Sequence, residues 1–164
     1  MYKREKESSK TLQEQVVEKL IKKGFHISFA ESCTGGMAAA ALVDVADASK
    51  VFDISFVTYA NDAKMKYLGV KEETIAACGV VSEEVAYQMA EGVAKEASSQ
   101  IGVGITGVAG PSGGTEKKPV GMVCFGFYIA GVTYTSTQLF GDIGRNNVRK
   151  KSVEYVYERL DQLI

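Results

Sequence analysis

The sequence has few of the residue types on which metal sites and histidine-dependent catalysts rely. It contains one histidine, His26, with three cysteines, two prolines and no tryptophan. The cysteines Cys33, Cys78 and Cys124 are odd in number and widely spaced, which argues against a disulfide framework and favours a reducing compartment. No CxxC or HxxxH pattern occurs, so we expect no metal site. We expect His26 to lie on a strand and any acid–base chemistry to use Lys, Tyr, Asp or Glu.

Charge and long apolar runs are also scarce. The net charge is −1 and the pI about 5.9, so no basic surface invites nucleic acid or an anionic membrane. The apolar runs are too short to span a bilayer, and no apolar segment follows the charged N-terminus. We therefore expect a cytoplasmic protein without a nucleic-acid or membrane partner. Length and composition fit one globular domain over residues 1–164, with residues 1–8 as a flexible tail.

Glycine is abundant, and seven of the seventeen glycines fall in the stretch Gly102–Gly121. The apolar run Ile101–Ile105 predicts a strand that enters this stretch at Thr106 and Gly107. Ligands of α/β proteins commonly bind at strand ends, and glycine lets backbone N–H groups come close to an anion. A flexible surface loop is an equally good interpretation of the glycines alone. Neither common nucleotide-loop pattern is present.

A second strand–turn–helix sequence occurs earlier in the chain. The alternating residues Phe25–Ala30 predict a strand, and the alanine-rich segment Met37–Val43 predicts a helix. Between them lies Glu31-Ser-Cys-Thr-Gly-Gly36, which predicts either an anion cradle at a helix N-terminus or a tight structural turn. The cradle would use four residues: Ser32, Thr34, Gly35 and Gly36. Cys33 is an alternative nucleophile, because a helix N-terminus lowers a thiol pKa.

The other periodic segments alternate between helices and strands. A first helix ends at Gly24, and Ser82 caps a long central helix. The remaining predictions are a strand at 51–59, a helix at 62–68 capped by Asn61, a short helix at 72–77, a hairpin of strands 120–129 and 132–139, and a final helix that includes residues 148–163. This order predicts an α/β fold: a single-domain three-layer α/β/α sandwich over a mixed sheet with one antiparallel hairpin.

A lysine in the first turn of the predicted helix at 62–68 is a candidate base. The helix dipole disfavours a cation there, so Lys64 should have a lowered pKa. A neutral Lys64 could activate Ser49, with Tyr59 relaying the proton or holding the lysine. The plain alternative is a turn serine and a solvated lysine. Arg145, in the turn before the last helix, could clamp a phosphate, whereas Lys117 and Lys118 fit a solvated loop tip.

Three motifs together resemble the CinA C-terminal domain family: AESCTGG at 30–36, FVTYANDAK at 56–64, and GITGVAGPSGG at 104–114 followed by KPVG at 118–121. The resemblance covers about residues 10 to 160 and fits the stand-alone form of the domain. That family contains nicotinamide-nucleotide amidohydrolases. The resemblance therefore implies hydrolysis of nicotinamide mononucleotide to nicotinate mononucleotide and ammonia, without metal or cofactor. It also implies a homodimer or a larger homo-oligomer.

By position in these motifs, the resemblance assigns catalysis to Ser49, Tyr59 and Lys64. It fits a substrate-binding role for Ser32, Thr34, Gly35, Gly36, Thr106, Gly107 and Arg145. The chain departs from the family pattern at Asp47-Ala-Ser49, where a Gly-Ser-Ser-like turn is usual, and in a longer spacing before Arg145. These departures leave open a non-catalytic nucleotide-binding or regulatory module of the same fold. An amidase for a different pyridine or pterin-like nucleotide is a third possibility.

Overall fold

A computed structural model describes residues 9–164, and the tail predicted at residues 1–8 lies outside the described residues. The strands are β1 (Ile27–Glu31), β2 (Phe56–Val57), β3 (Ile101–Gly107), β4 (Met122–Ile129) and β5 (Val132–Leu139). The helices are α1 (Leu12–Lys23), α2 (Met37–Val43), α3 (Asn61–Leu68), α4 (Glu72–Cys78), α5 (Glu83–Ala97) and α6 (Arg145–Leu163). Within residues 9–164, none of these helices has the length and apolar character needed to cross a membrane.

The five strands form one mixed sheet in the order β2-β1-β3-β4-β5. Strands β2, β1 and β3 are parallel, whereas β4 and β5 form an antiparallel hairpin on β3. Helix α5 covers one face, with α3 and α4 against it, and α1, α2 and α6 pack together over the other face. The predicted three-layer sandwich with one hairpin is confirmed. Ala130 and Gly131 both have positive φ in the hairpin turn, as its right-handed twist requires.

Alternation along β3 separates two kinds of packing. The odd-numbered residues enter the larger core: Ile101, Val103 and Ile105. The even-numbered Gly102 and Gly104 lie under α5, where a Cβ would come within 2.2 Å of the Ala90 oxygen and 2.4 Å of the Ala86 oxygen. A Cβ on Gly126 in β4 would lie 2.2 Å from the same Ala86 oxygen. These glycines therefore let α5 touch the sheet, and the first part of the glycine-rich stretch serves packing rather than a ligand.

The strand predicted at 51–59 is mostly wrong. Only Phe56–Val57 pair as β2, and Phe52 forms an isolated bridge with Ile27. Between these two points Ser55 Oγ donates a hydrogen bond to the Phe29 oxygen at 2.6 Å, so a side chain meets β1 where backbone pairing was expected. The strand predicted at 25–30 is displaced by one to two residues, which leaves His26 just before β1.

Local signals at helix ends gave two confirmed predictions and one wrong one. Gly24 ends α1 in the left-handed conformation, and the Ser82 side chain accepts a hydrogen bond from Val85 N at the start of α5. Asn61 is the first helical residue of α3 rather than its cap. The cap position belongs to Ala60, which has no side-chain acceptor to offer.

The long loop between β3 and β4 follows a fixed path. Gly121 N donates to the Val108 oxygen at 2.8 Å and closes the base of the loop. The prediction that Lys118 is solvated is wrong, because this side chain is half-buried and its ammonium donates a hydrogen bond to the oxygen of Cys78 at the end of α4. A cation is favourable at a helix C-terminus. The loop is therefore held at both its base and its far side.

Candidate active site

A cavity of about 250 Å³ opens where β1 and β3 end. It is lined by residues from five segments, among them Ser32, Tyr59, Gly107, Ala109, Gly110 and Arg145. Crevices at the carboxyl ends of parallel strands are the usual ligand sites of α/β sheets. A cavity of about 230 Å³ beside α1 is lined by residues such as Lys10, Glu14 and Asp47, which do not surround a candidate nucleophile.

Lys64 of α3 places a buried amine next to Ser32. Its side chain is 1% exposed, and Nζ lies 3.1 Å from Ser32 Oγ, 2.7 Å from the Thr58 oxygen and 3.3 Å from the Tyr59 oxygen. Burial lowers the pKa of Lys64 from 10.5 to about 8, because the ammonium loses its hydration. The direction of this shift agrees with the prediction, but its cause is burial rather than the helix dipole.

The three partners of Lys64 differ in what they can donate. The carbonyl oxygens of Thr58 and Tyr59 only accept hydrogen bonds, whereas the Ser32 hydroxyl can accept or donate. A neutral amine has two N–H bonds and one lone pair. If the two carbonyls take the N–H bonds, the lone pair of Lys64 faces the Ser32 hydroxyl. The arrangement can therefore remove a proton from Ser32.

The structure does not bring Ser49 to Lys64. Ser49 is exposed in a short 3-10 turn, and the nearby Val51 oxygen accepts a hydrogen bond from Ile27 N at the first residue of β1. Lys64 contacts Ser32, which follows the last residue of the same strand. Five residues of strand separate the two ends by about 13 Å. Ser32, predicted as a substrate contact, therefore holds the position that the resemblance assigns to Ser49.

Tyr59 and Arg145 close one side of the cavity mouth. The Tyr59 ring is largely exposed, and its hydroxyl accepts a hydrogen bond from Arg145 Nη2 at 2.8 Å. Arg145 Nη1 donates to the Gly110 oxygen at 2.8 Å. Tyr59 contacts Lys64 through its backbone oxygen, so its hydroxyl is not the group that holds the lysine. Arg145 is the first residue of α6, next to the turn where it was predicted, and it lines the cavity.

The predicted anion cradle at the start of α2 is already filled by a carboxylate of the chain. Glu31 is fully buried; its Oε2 accepts from Gly36 N at 3.0 Å and Ala38 N at 3.1 Å, and its Oε1 accepts from Ala39 N at 2.8 Å. These amides are consequently not available to a ligand. Gly35 N likewise donates within the turn, to the Ser32 oxygen. The cradle prediction is corrected: this turn has a structural role, apart from Ser32 itself.

Two other predicted contacts in the same region are buried and do not line the cavity. Thr34 is fully buried, and its side-chain oxygen has no hydrogen-bond partner among residues 9–164. Thr106 is 2% exposed, and its hydroxyl donates to the Val80 oxygen at 2.9 Å, which ties β3 to the segment before α5. Gly107, in contrast, lines the cavity as predicted.

Arg149 of α6 fixes the turn that carries Ser32. Its Nε donates to the Cys33 oxygen at 3.0 Å and its Nη2 to the Thr34 oxygen at 3.1 Å. Nothing in the sequence alone separates Arg149 from the other basic residues of this helix. Glu31 was also missed, although a glutamate before a turn that leads into a helix without a Ser, Thr or Asp cap is a usable signal.

The remaining candidates for chemistry do not converge on this cavity. Cys33 lines it but is buried, and burial raises the pKa of its thiol to about 12, so it is not a thiolate at neutral pH. His26 Nδ1 lies 2.6 Å from Asp53 Oδ2 just before β1, at the opposite end of that strand. Residues 9–164 contain no group of three or more His, Cys, Asp and Glu side chains placed to hold a metal ion.

The fold and the site together define an α/β protein with a Ser–Lys pair at the carboxyl edge of a mixed sheet. The CinA C-terminal domain family matches residues 9–164, and the chain belongs to this family. It is 50% identical over 149 residues to a CinA-like protein of Kosmotoga olearia, which covers 90% of this chain and 36% of that relative. The chain thus spans about a third of the length of the curated relatives it matches.

Solved structures of related proteins have the same fold. The competence/damage inducible protein CihA of Agrobacterium tumefaciens is 40% identical, with a TM-score of 0.85 over 92% of this chain and 94% of that chain. A competence-damaged protein (CinA) superfamily protein of Escherichia coli is 35% identical, with a TM-score of 0.90 over 93% of this chain and 88% of that chain. The resemblance drawn from the motifs is confirmed.

Proposed function

We propose that the chain is a nicotinamide-nucleotide amidase, which converts nicotinamide mononucleotide and water to nicotinate mononucleotide and ammonia. The observation that carries the proposal is the 3.1 Å contact between the buried Lys64 Nζ and the Oγ of Ser32, which lines the cavity. A base and a nucleophile within hydrogen-bond reach suit acyl transfer. The resemblance of the three motifs supplies the substrate, and membership of the CinA family supports it.

In the first half of the reaction Ser32 is the nucleophile. Neutral Lys64 takes the hydroxyl proton as Ser32 Oγ bonds to the carboxamide carbon, and the carbonyl electron pair moves onto oxygen. When this pair returns, the carbon–nitrogen bond breaks. The leaving nitrogen takes the proton from Lys64 and departs as ammonia, which leaves an ester on Ser32 and a neutral Lys64.

In the second half water replaces the amine. Lys64 removes a proton from a water molecule, whose oxygen bonds to the ester carbon. The carbon–oxygen bond to Ser32 then breaks, Ser32 recovers its proton from Lys64, and the product leaves as the carboxylic acid, which loses its proton to solvent. The atoms balance as one amide and one water giving one acid and one ammonia. The pair returns to its starting state.

The size of the cavity limits how much of the nucleotide it can enclose. About 250 Å³ is below the usual range of roughly 300–1,000 Å³ for small-molecule pockets. The pyridine ring and its carboxamide therefore enter beside Ser32, and the ribose phosphate extends towards the mouth. Arg145 stands there with a guanidinium able to exchange its Tyr59 partner for a phosphate oxygen.

The test compares the two serines at opposite ends of β1. Ammonia release from nicotinamide mononucleotide is measured for the unmodified chain, Ser32→Ala and Ser49→Ala. We expect Ser32→Ala to lose roughly 10⁴-fold or more in kcat, as for other activated serines, and Ser49→Ala to stay within about twofold of the unmodified chain. Loss of activity in Ser49→Ala alone would instead identify Ser49 as the nucleophile, as the motif resemblance implies.

Other outcomes separate the alternative functions. Binding of the nucleotide without ammonia release over hours would favour a non-catalytic binding module. Ammonia release only from a different pyridine or pterin-like nucleotide in a small panel would change the substrate but keep the Ser–Lys chemistry. The homo-oligomer implied by the resemblance stays a prediction, which sedimentation of the chain at several concentrations would check.

A further inference from the structure

Backbone N–H groups at the end of β3 continue past the last partner on β1. In this parallel pair, the Ile105 oxygen accepts a hydrogen bond from Ser32 N at 3.1 Å, so the odd-numbered residues of β3 face β1. Gly107 is the next odd-numbered residue. The Ser32 oxygen that would continue the ladder accepts from Gly35 N instead. Within residues 9–164, the N–H of Gly107 therefore faces the Ser32 turn without an acceptor.

The N–H of Ala109 points to the same side. The Val108 oxygen accepts a hydrogen bond from Gly121 N at 2.8 Å, on the side of β3 that faces β4. The peptide bond between Val108 and Ala109 is trans, so its N–H points away from its C=O and towards β1. Ala109 is 4% exposed, and in the described part of the chain its N–H has no acceptor. Buried backbone donors without a partner are rare and require an explanation.

Both amides belong to residues that line the cavity with Ser32. We propose that the N–H groups of Gly107 and Ala109 form the oxyanion hole of this site, an inference that rests on the proposed acyl-transfer function. When Ser32 Oγ bonds to the carboxamide carbon, the substrate oxygen becomes an anion. Donors that meet this oxygen stabilise the transition state more than the ground state.

The surrounding contacts keep this stretch of backbone in place before substrate arrives. The Gly121–Val108 hydrogen bond fixes the loop base, and Arg145 Nη1 donates a hydrogen bond to the Gly110 oxygen. Gly107 itself is packed against β4, because an added Cβ would lie 2.7 Å from Val123 Cγ2. Donors that are already oriented need no reorganisation when charge develops, which is the condition for a large catalytic effect.

The test removes one N–H and keeps the side chain. Ala109 is replaced by lactic acid through nonsense suppression, so an ester oxygen takes the place of the amide nitrogen. We expect kcat for ammonia release from nicotinamide mononucleotide to fall roughly 10²- to 10³-fold, with KM and the pH dependence little changed. The matched control is lactic acid at Ala46, an exposed residue whose N–H also has no acceptor among residues 9–164. It should leave kcat within about twofold.

A second ester variant protects the test against a folding failure. Glycolic acid in place of Gly107 removes the other donor and should lower kcat by a similar factor, with circular dichroism reporting the fold of each variant. If folded ester variants at 107 and 109 both keep kcat within about threefold, the oxyanion hole lies elsewhere and the amidase function stands. If the unmodified chain releases no ammonia, the function and this inference fall together.

Discussion

Each end of β1 carries a pair of polar side chains in contact, but the two pairs lie in opposite surroundings. At its carboxyl end, Ser32 contacts Lys64, which is 1% exposed. At its amino end, His26 pairs with Asp53 at 2.6 Å, but the two side chains are 39% and 60% exposed. Burial lowers the pKa of Lys64 to about 8, whereas water screens a solvated ion pair. The candidate base is therefore the lysine at the buried end of β1, although histidine, which lies at the exposed end, is the more usual base in enzymes.

The largest effect expected from this contrast is on catalysis by Lys64. Lys64→Met keeps the length of the side chain and removes the base, so kcat for ammonia release should fall roughly 10³- to 10⁴-fold. The matched change at the other end, His26→Asn, should leave kcat within about twofold. Steady-state kinetics with circular dichroism as a folding control checks both variants. Comparable losses in the two would remove the distinction between the ends.

The pH dependence of catalysis should report the same lysine. The proposed reaction requires neutral Lys64, whose pKa in the folded chain is about 8. Below that pH the neutral fraction falls tenfold per pH unit, so kcat/KM should rise tenfold per unit up to about pH 8 and then level. His26→Asn should not shift this rising part of the pH profile of kcat/KM. A limb that moves in His26→Asn, or one centred near pH 6.5, would assign the base to histidine instead.

Glu31 predicts a smaller effect, on stability rather than on rate. Its buried carboxylate accepts three backbone N–H groups at the start of α2. Glu31→Gln retains one acceptor oxygen and turns an NH₂ towards these donors, so the free energy of unfolding should fall by about 2–3 kcal/mol. Urea unfolding at pH 7 gives the value. A loss below about 0.5 kcal/mol would mean that the helix start is held by other contacts.

The smallest effect belongs to the solvated pair at the amino end. Asp53→Asn removes the partner of His26, and exposed pairs contribute less than about 1 kcal/mol. The change in unfolding free energy should therefore be small and should shrink further in 1 M salt. Urea unfolding at low and high salt checks this. A salt-insensitive loss as large as that of Glu31→Gln would show that exposure does not set the strength of these pairs.

Short-range chemistry explains which parts of the fold could be predicted from sequence. Gly24, Ser82 and the Ala130-Gly131 turn act through their own backbone or through neighbours within three or four residues. Helical and strand periodicities likewise need no knowledge of the rest of the chain. The late start of β2 could not be predicted, because Ser55, just before it, donates its side-chain hydrogen bond to the Phe29 oxygen, 26 positions away in the sequence.

The site followed the same division. The motifs indicated three of the segments that line the cavity, and they contain both Tyr59 and Lys64. They did not indicate which serine meets the lysine, because Lys64 and Ser32 are 32 positions apart and meet only when α3 packs beside the end of β1. The role of Glu31 was missed for a related reason. The sequence does not show that its carboxylate folds back onto the helix N-terminus, which therefore looked open to an outside anion.

The close packing of α5 on β3 and β4 limits which residues can replace the glycines beneath it. Any side chain at Gly104 must lift the helix, because Cβ would overlap the Ala86 oxygen. The segment just before α5 contains Val80, which Thr106 binds, and Val81, which lines the cavity. We therefore expect a substitution at Gly104 to move α5 together with the Val80–Val81 segment and so to alter the cavity, although Gly104 itself does not line it. Sequence variation is consequently constrained at Gly104, a strand residue beneath α5 that does not line the cavity.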